Sequence, residues 1–335
     1  MHVSAITLAR VFRAALAPRL AGLFFALTAT CAAQGIDELR NELRKGLRTA
    51  HFAKSLNTLV IVSDELELSG ARFEFDDEYD TDLWTFGLPM QKSMKAFGDG
   101  APELYLEGAL GFARARQYVG DIYSGLLPAL ATSVDTDWTT YSALAGGGLR
   151  FALSDEFTLT PILDVGIAHI ENDTDYGGPG ATFTAALADG IAFNWDAWLW
   201  SAGGAGRIDW THPLGEHHEV RVIARYDLRW VGTLRDDDAA QDFTSRAQMI
   251  TLRGDVTGTT GLQLFDRELD WRGTLGYRRF LEGDLYGTED FLQVGGALEW
   301  GVREALPFAS RVSLSGAVFV GENVTGWSVG FGISF

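Results

Sequence analysis

Apolar and polar residues alternate along most of this chain, and the last eleven residues show it most plainly. Trp327, Val329, Phe331, Ile333 and Phe335 share one parity, and Ser328, Gly330, Gly332 and Ser334 share the other. Successive side chains of a strand point to opposite faces, so one face of this segment is apolar and the other small and polar. The same pattern recurs upstream. Trp84, Phe86, Leu88 and Met90 alternate, then Leu104, Leu106, Leu110 and Phe112 opposite Tyr105 and Glu107. Tyr141 to Leu153, Phe157 to Ile167 and Ile191 to Leu199 continue it. In residues 219–230, Val220, Val222, Ala224, Tyr226, Leu228 and Trp230 oppose Glu219, Arg221, Arg225, Asp227 and Arg229. Ile250 and Leu252 oppose Arg253 and Asp255; Leu269, Trp271, Leu275 and Tyr277 oppose Asp270, Arg272 and Arg278. Leu292, Val294, Leu298 and Trp300 oppose Gln293 and Glu299, and Val312 and Leu314 oppose Ser313 and Ser315. A first strand is read between Leu59 and Phe75.

This pattern predicts an all-β fold, a transmembrane antiparallel β-barrel of about twelve strands, most of them long enough to cross a bilayer when tilted. An even count puts both ends of the barrel on one side, the periplasm. Connections near 154–156, 207–215, 259–261 and 304–307 then fall inside and are mostly short, with 91–101 a long exception. Those at 118–137, 171–189 and 234–244 fall outside and are long, and this sorting is the habit of outer-membrane barrels. The polar parity faces the lumen. Arg221, Arg225, Asp227, Arg229, Arg253, Asp255, Asp270, Arg272, Arg278 and Glu299 are its charged members, beside Glu107 and Asp164. They form either an ionic filling of a narrow barrel or the lining of an ion-selective pore. Tyr226, Trp230, Trp271, Tyr277, Trp300 and Trp327 suit interfacial aromatic girdles.

One stretch departs from the strand pattern. In residues 36–56, Ile36, Leu39, Leu43 and Leu47 recur at helical spacing, with Arg40, Arg44, Lys45 and Arg48 among them. Two placements fit this basic helix: a leader or cap on the periplasmic side, or a plug inside the lumen with its cations against lumen acids. Ahead of it, residues 1–33 read as a secretory signal, with Arg10, Arg13 and Arg19 before the short apolar core Leu20 to Ala29 and small residues up to Ala33. Cys31 is the single cysteine, so a lipidated form is the alternative and no disulfide is expected. The domains are therefore 1–33 signal, 34–56 helical segment and 57–335 barrel.

Composition agrees with this picture. Pro is scarce at 8 residues and Trp abundant at 10, while Gly reaches 39. A net charge of −18 argues against nucleic acid as a partner. No catalytic constellation or metal set stands out, and no cofactor is implied. His169 near Asp173 and Asp175 is the one candidate for chemistry at the rim, and His217 and His218, adjacent in sequence, cannot share a face of a strand. Acids at Asp173, Asp175 and Asp236 to Asp238 solvate the outer loops or bridge lipopolysaccharide through divalent ions.

The terminal strand closing on Phe335 resembles the C-terminal signature of bacterial outer-membrane barrels, which implies that barrel-assembly machinery reads Trp327, Val329, Phe331, Ile333 and Phe335. Signal, short helix and about twelve strands ending in Phe together resemble the autotransporter β-domain, and most closely its solitary form, over residues ~36–335. In that family the helix lies in the pore and the strands translocate an N-terminal passenger, of which almost none precedes the helix here. The resemblance implies a monomeric protein of the Gram-negative outer membrane, in contact with its lipid and lipopolysaccharide. The alternative is a small porin-like channel for ions or solutes, gated or capped by the helix.

Overall fold

The computed structural model describes residues 35–49, 70–76, 80–95, 98, 100–122, 128–236, 238–264, 267–301 and 311–334. The signal read at 1–33, Cys31 and the 59–69 part of the first strand lie outside these. So do Asp237, Phe335 and the side chains of Arg48 and Ile333. Among the described residues, twelve strands follow the helix α1 (Ile36–Thr49): β1 (Gly70–Phe75), β2 (Asp82–Met94), β3 (Glu103–Ile122), β4 (Thr132–Ala152), β5 (Phe157–Gly177), β6 (Trp195–Pro213), β7 (His218–Asp236), β8 (Thr244–Leu264), β9 (Arg267–Glu282), β10 (Asp290–Gly301), β11 (Arg311–Gly321) and β12 (Val324–Ser334). A second helix, α2 (Ala181–Ala188), lies between β5 and β6.

Each strand pairs antiparallel with its neighbours in sequence, and β1 closes the barrel on β12, with 71–75 opposite 324–328. Closure satisfies the backbone donors and acceptors that lipid cannot, and this is why strands can cross a membrane only as a ring. Parity sorts the side chains. Leu163, Val165, Leu275, Phe331 and Val329 stand exposed on the outer wall, with Leu163 at 76%. Their outward exposure is unfavourable in water and favourable in hydrocarbon. Trp84 and Trp327 meet edge to face at 6.0 Å across the closing seam, and Phe112 meets Tyr141 at 5.4 Å, an aromatic row toward one end of the barrel. Phe157, Trp210, His212, His218 and Trp271 form a corresponding row toward the other.

The barrel end that carries the C-terminus also carries the tight connections 153–156, 214–217 and 265–266. The opposite end carries 123–131, 178–194 and 237–243. The connections at the end that carries the C-terminus are mostly the shorter ones and mark it as periplasmic, so the opposite end is outer.

Much of what reads as long outer loop is strand. β5 has 21 residues, roughly 70 Å of extended chain and about 50 Å of height at barrel tilt, against an apolar band of about 25 Å. The wall therefore stands well clear of the membrane. Beyond Ile167 the outward positions of β5 become His169, Glu171, Asp173 and Asp175. The period of two persists there while its apolar sign is lost, and the segment 118–137 is likewise strand except for 123–131. β6 also differs from expectation. It begins at Trp195, and Trp195, Ala197 and Leu199 face inward and are buried, whereas Trp198 faces out.

Leu163→Arg places a charge at mid-depth on the lipid face, and it is expected to lower barrel stability by about 2–4 kcal/mol. Urea unfolding of the refolded protein in lipid vesicles measures this. A change below about 0.5 kcal/mol would contradict the assignment of faces.

Candidate functional site

The inward face divides into two tiers. Toward the periplasmic end it is ionic. Glu107 on β3 accepts from Arg225 on β7 through Nη1 at 2.8 Å and Nη2 at 2.9 Å, and from the Tyr105 hydroxyl at 3.0 Å. β3 and β7 are four strands apart in the ring, so this pair bars the lumen. Arg225 Nε donates to Asp227 at 2.9 Å, and Arg229 Nε to Asp164 on β5 at 3.1 Å. Asp209 accepts from both Arg207 and Arg221. Arg253 donates to Asp255, which also accepts from the Thr274 hydroxyl at 2.7 Å. Glu299 holds Arg272 and Arg311, and Arg311 reaches Asp270 at 3.4 Å. Arg278 is buried with its guanidinium 5.4 Å from the Phe291 ring centroid. All ten charged residues singled out in the sequence thus share the inward parity. Charges removed from water persist only when paired and hydrogen-bonded.

Glycine makes room for this packing. Glu107, Gly146, Asp164, Gly203 and Arg229 stand opposite one another on successive strands. A Cβ at Gly146 would lie 2.9 Å from Glu107 Cγ and 3.3 Å from Asp164 Cβ. The bare positions let long charged side chains lie flat across the lumen. The sequence reading missed Arg207 and Asp209 because it closed their strand at the glycines before them. Parity carried through Leu199, Ser201, Gly203 and Ala205 reaches both.

Toward the outer end the inward face mixes buried apolar side chains with buried Thr, Asn and Gln side chains such as Thr136, Asn172 and Gln117. One buried cluster draws on every strand, from Phe73 and Leu83 through Ile170, Leu199 and Val231 to Phe319. Phe73 is 0% and Phe319 1% exposed, with their ring centroids 5.0 Å apart. This tier is packed. Nothing in the lipid-facing pattern announced it, because apolar residues of inward parity break the alternation that identifies the strands.

Above it lies a lid. The Thr184 hydroxyl of α2 is 3.0 Å from that of Thr132, Trp195 Nε1 donates to Ala192 O, and Asn194 N donates to Asn172. α1 packs on this layer through Leu39, Leu43 and Leu47 against Leu187, Ala188, Ile191 and Ala240. Arg40 Nη1 donates to Ala186 O at 2.7 Å and Nη2 to Asp189 O at 2.9 Å, satisfying carbonyls at the C-terminal end of α2. Arg44 Nε meets both Asp238 oxygens at 3.0 and 2.8 Å. Burial raises the Asp238 carboxyl, but Arg44 and the Ala240 amide outweigh it and hold the group below the usual carboxylate range. Lys45 pairs within the helix to Glu42 at 2.6 Å. α1 is therefore at the outer end. Its acidic partner is a loop residue, not a lumen one, and it is not a periplasmic cap.

His169 does not meet Asp173 or Asp175. Its Nε2 is 3.0 Å from Asp196 and its Nδ1 3.4 Å from Glu171, on the outward face against Trp198. Among the described residues no group of three or more His, Cys, Asp or Glu side chains could hold a metal. Trp327, Val329 and Phe331 face outward in β12, and Ile333 pairs through its backbone with Val312.

The removal of one partner from a buried pair leaves an unpaired charge. Glu107→Ala is accordingly expected to cost about 3–5 kcal/mol, read from the shift in the urea midpoint of the refolded barrel. A loss below about 1 kcal/mol would contradict a desolvated Glu107–Arg225 pair.

The family model described as the solitary outer membrane autotransporter beta-barrel domain matches residues 81–266. Among solved structures, the chain is similar to the transport unit of the autotransporter AIDA-I from Escherichia coli, at 13% identity and a TM-score of 0.50, over 84% of this chain and 98% of that one. It is also similar to the beta domain of the Bordetella autotransporter BrkA, at 15% identity and a TM-score of 0.50, over 79% of this chain and 96% of that one. At these identities both likenesses concern the fold alone. No curated protein matches.

Proposed function

The chain belongs to the family of solitary outer-membrane autotransporter β-barrel domains, and from that premise we propose that it is a closed translocator-type barrel holding its own N-terminal helix at the cell surface. It is an integral protein of the Gram-negative outer membrane. The observation that carries the reading is the seat of α1. Leu39, Leu43 and Leu47 bury against α2 and Ala240, and Arg44 is clasped by Asp238, all at the barrel end opposite the C-terminus. A helix that precedes β1 reaches that end by crossing the plane of the membrane. The barrel thus does for its own leading segment what a translocator does for cargo.

The lumen beneath supports a closed resting state rather than a channel. Glu107 and Arg225 span it in the ionic tier, and Phe73, Leu83, Ile170 and Phe319 fill the outer tier. Insertion is directed by the C-terminal strand, whose Trp327, Val329 and Phe331 offer the assembly machinery an unbroken outward apolar ridge.

The test is the conductance of the refolded protein in a planar bilayer, with heat-modifiable gel migration confirming the folded barrel. No steady current is expected from the intact chain. A steady open-channel current from folded protein would contradict the closed reading and restore the porin-like one.

A further inference from the structure

The outward wall of β1 to β4, from the level of Trp84 and Trp327 outward, carries three arginines arranged alike. Arg72, Trp84 and Arg114 stand opposite one another on β1, β2 and β3, and Arg116 lies two residues further along β3, opposite Asp82. Each guanidinium grips a carboxylate side-on with Nε and Nη2: Arg72 to Asp82 at 2.9 and 3.0 Å, Arg114 to Asp137 at 3.2 and 2.9 Å, Arg116 to Asp135 at 3.2 and 2.7 Å; Arg72 Nη2 also meets Glu74 Oε1 at 3.1 Å. Nη1 of each makes no hydrogen bond among the described residues. The side chains of Arg114 and Arg116 are 54% and 63% exposed. Arg72 also lies 5.1 Å from the centre of the Trp84 ring.

The chemistry of such a set is specific. An arginine held side-on by a carboxylate is fixed in orientation, which lowers the entropy lost when its remaining N–H groups bind an oxyanion. Two strand spacings separate Arg72 from Arg114, about 10 Å. Three oriented donors spread over two adjoining rows fit a ligand with more than one phosphate. Their height selects the source. Phe112 and Tyr141 mark the upper edge of the hydrocarbon, and the arginines start in the next row, where the headgroups of the outer leaflet lie. The geometry points to a binding face for the phosphorylated sugar headgroup of lipopolysaccharide on Arg72, Arg114 and Arg116, with Asp82, Asp137 and Asp135 as positioning residues and Trp84 against the acyl boundary. This rests on the outer-membrane placement and names the site at which this barrel holds that lipid.

The experiment uses the refolded full chain and the variant Arg72→Gln/Arg114→Gln/Arg116→Gln in detergent with EDTA, which removes divalent bridges. Each is mixed with rough lipopolysaccharide, with the same lipid after phosphatase treatment, and with phosphatidylglycerol vesicles. Bound lipid is measured after separation, and gel migration establishes that both barrels are folded. The wild type is expected to hold lipopolysaccharide about tenfold or more tightly than the variant and than the dephosphorylated lipid. Equal binding by the folded variant would overturn the proposal, as would equal binding of the dephosphorylated lipid. Phosphatidylglycerol bound as tightly as lipopolysaccharide, and lost equally in the variant, would overturn the choice of ligand. A chain that does not fold into a barrel would count against the membrane reading itself, so the two failures are distinguishable.

Discussion

The pairing of β1 with β12 is the constraint on which the rest of the structure depends. Open, the sheet would expose two edges of unpaired backbone to lipid, where each unsatisfied group costs several kcal/mol. Closed, every strand has two neighbours and every side chain only two directions to point. Phe73 opposes Gly326 in that seam, and a Cβ at Gly326 would come within 2.5 Å of Arg72 O. Glycine there lets β1 and β12 approach while Phe73 fills the lumen side. On the lipid side the Trp84–Trp327 contact covers the same seam.

From closure follows the sorting of charge. Lipid admits none, so ionisable groups go inward or beyond the hydrocarbon. Inside, they become tolerable by pairing, and pairing across β3, β5, β6 and β7 needs the bare backbone of Gly146 and Gly203 between the long side chains. Beyond the hydrocarbon, the same strands present Arg114, Arg116 and Glu171 to the headgroup layer. The ionic lumen, the packed outer tier and the charged overhang thus follow from one alternation read at three depths.

This explains what was legible in the sequence. The barrel, the count of strands and the lipid face could be read because hydrocarbon forces one parity to be apolar over the span of, for example, Tyr141 to Leu153. Where that pressure ends, the reading fails. Asp135 and Asp137 looked like loop because their outward neighbours are no longer greasy, although β4 continues unbroken. Trp195 and Leu199 looked lipid-facing because they are apolar, yet they are buried on the inward face in the outer tier. The partners of the inward charges were not legible, since Glu107 finds Arg225 across the ring and not along the chain. Helical spacing placed Leu39, Leu43 and Leu47 on one stripe, but only the fold shows that the stripe belongs to α2 and the outer mouth.

The central claim is that α1 lies at the cell surface, over a barrel that its own chain has crossed. It is tested most directly by a single cysteine at Glu38, an exposed position of α1, in a Cys31→Ser background, with a membrane-impermeant maleimide applied to intact cells. The account predicts labelling of intact cells to the same extent as after the outer membrane is permeabilised. Labelling that requires permeabilisation would place the helix on the periplasmic side and contradict it.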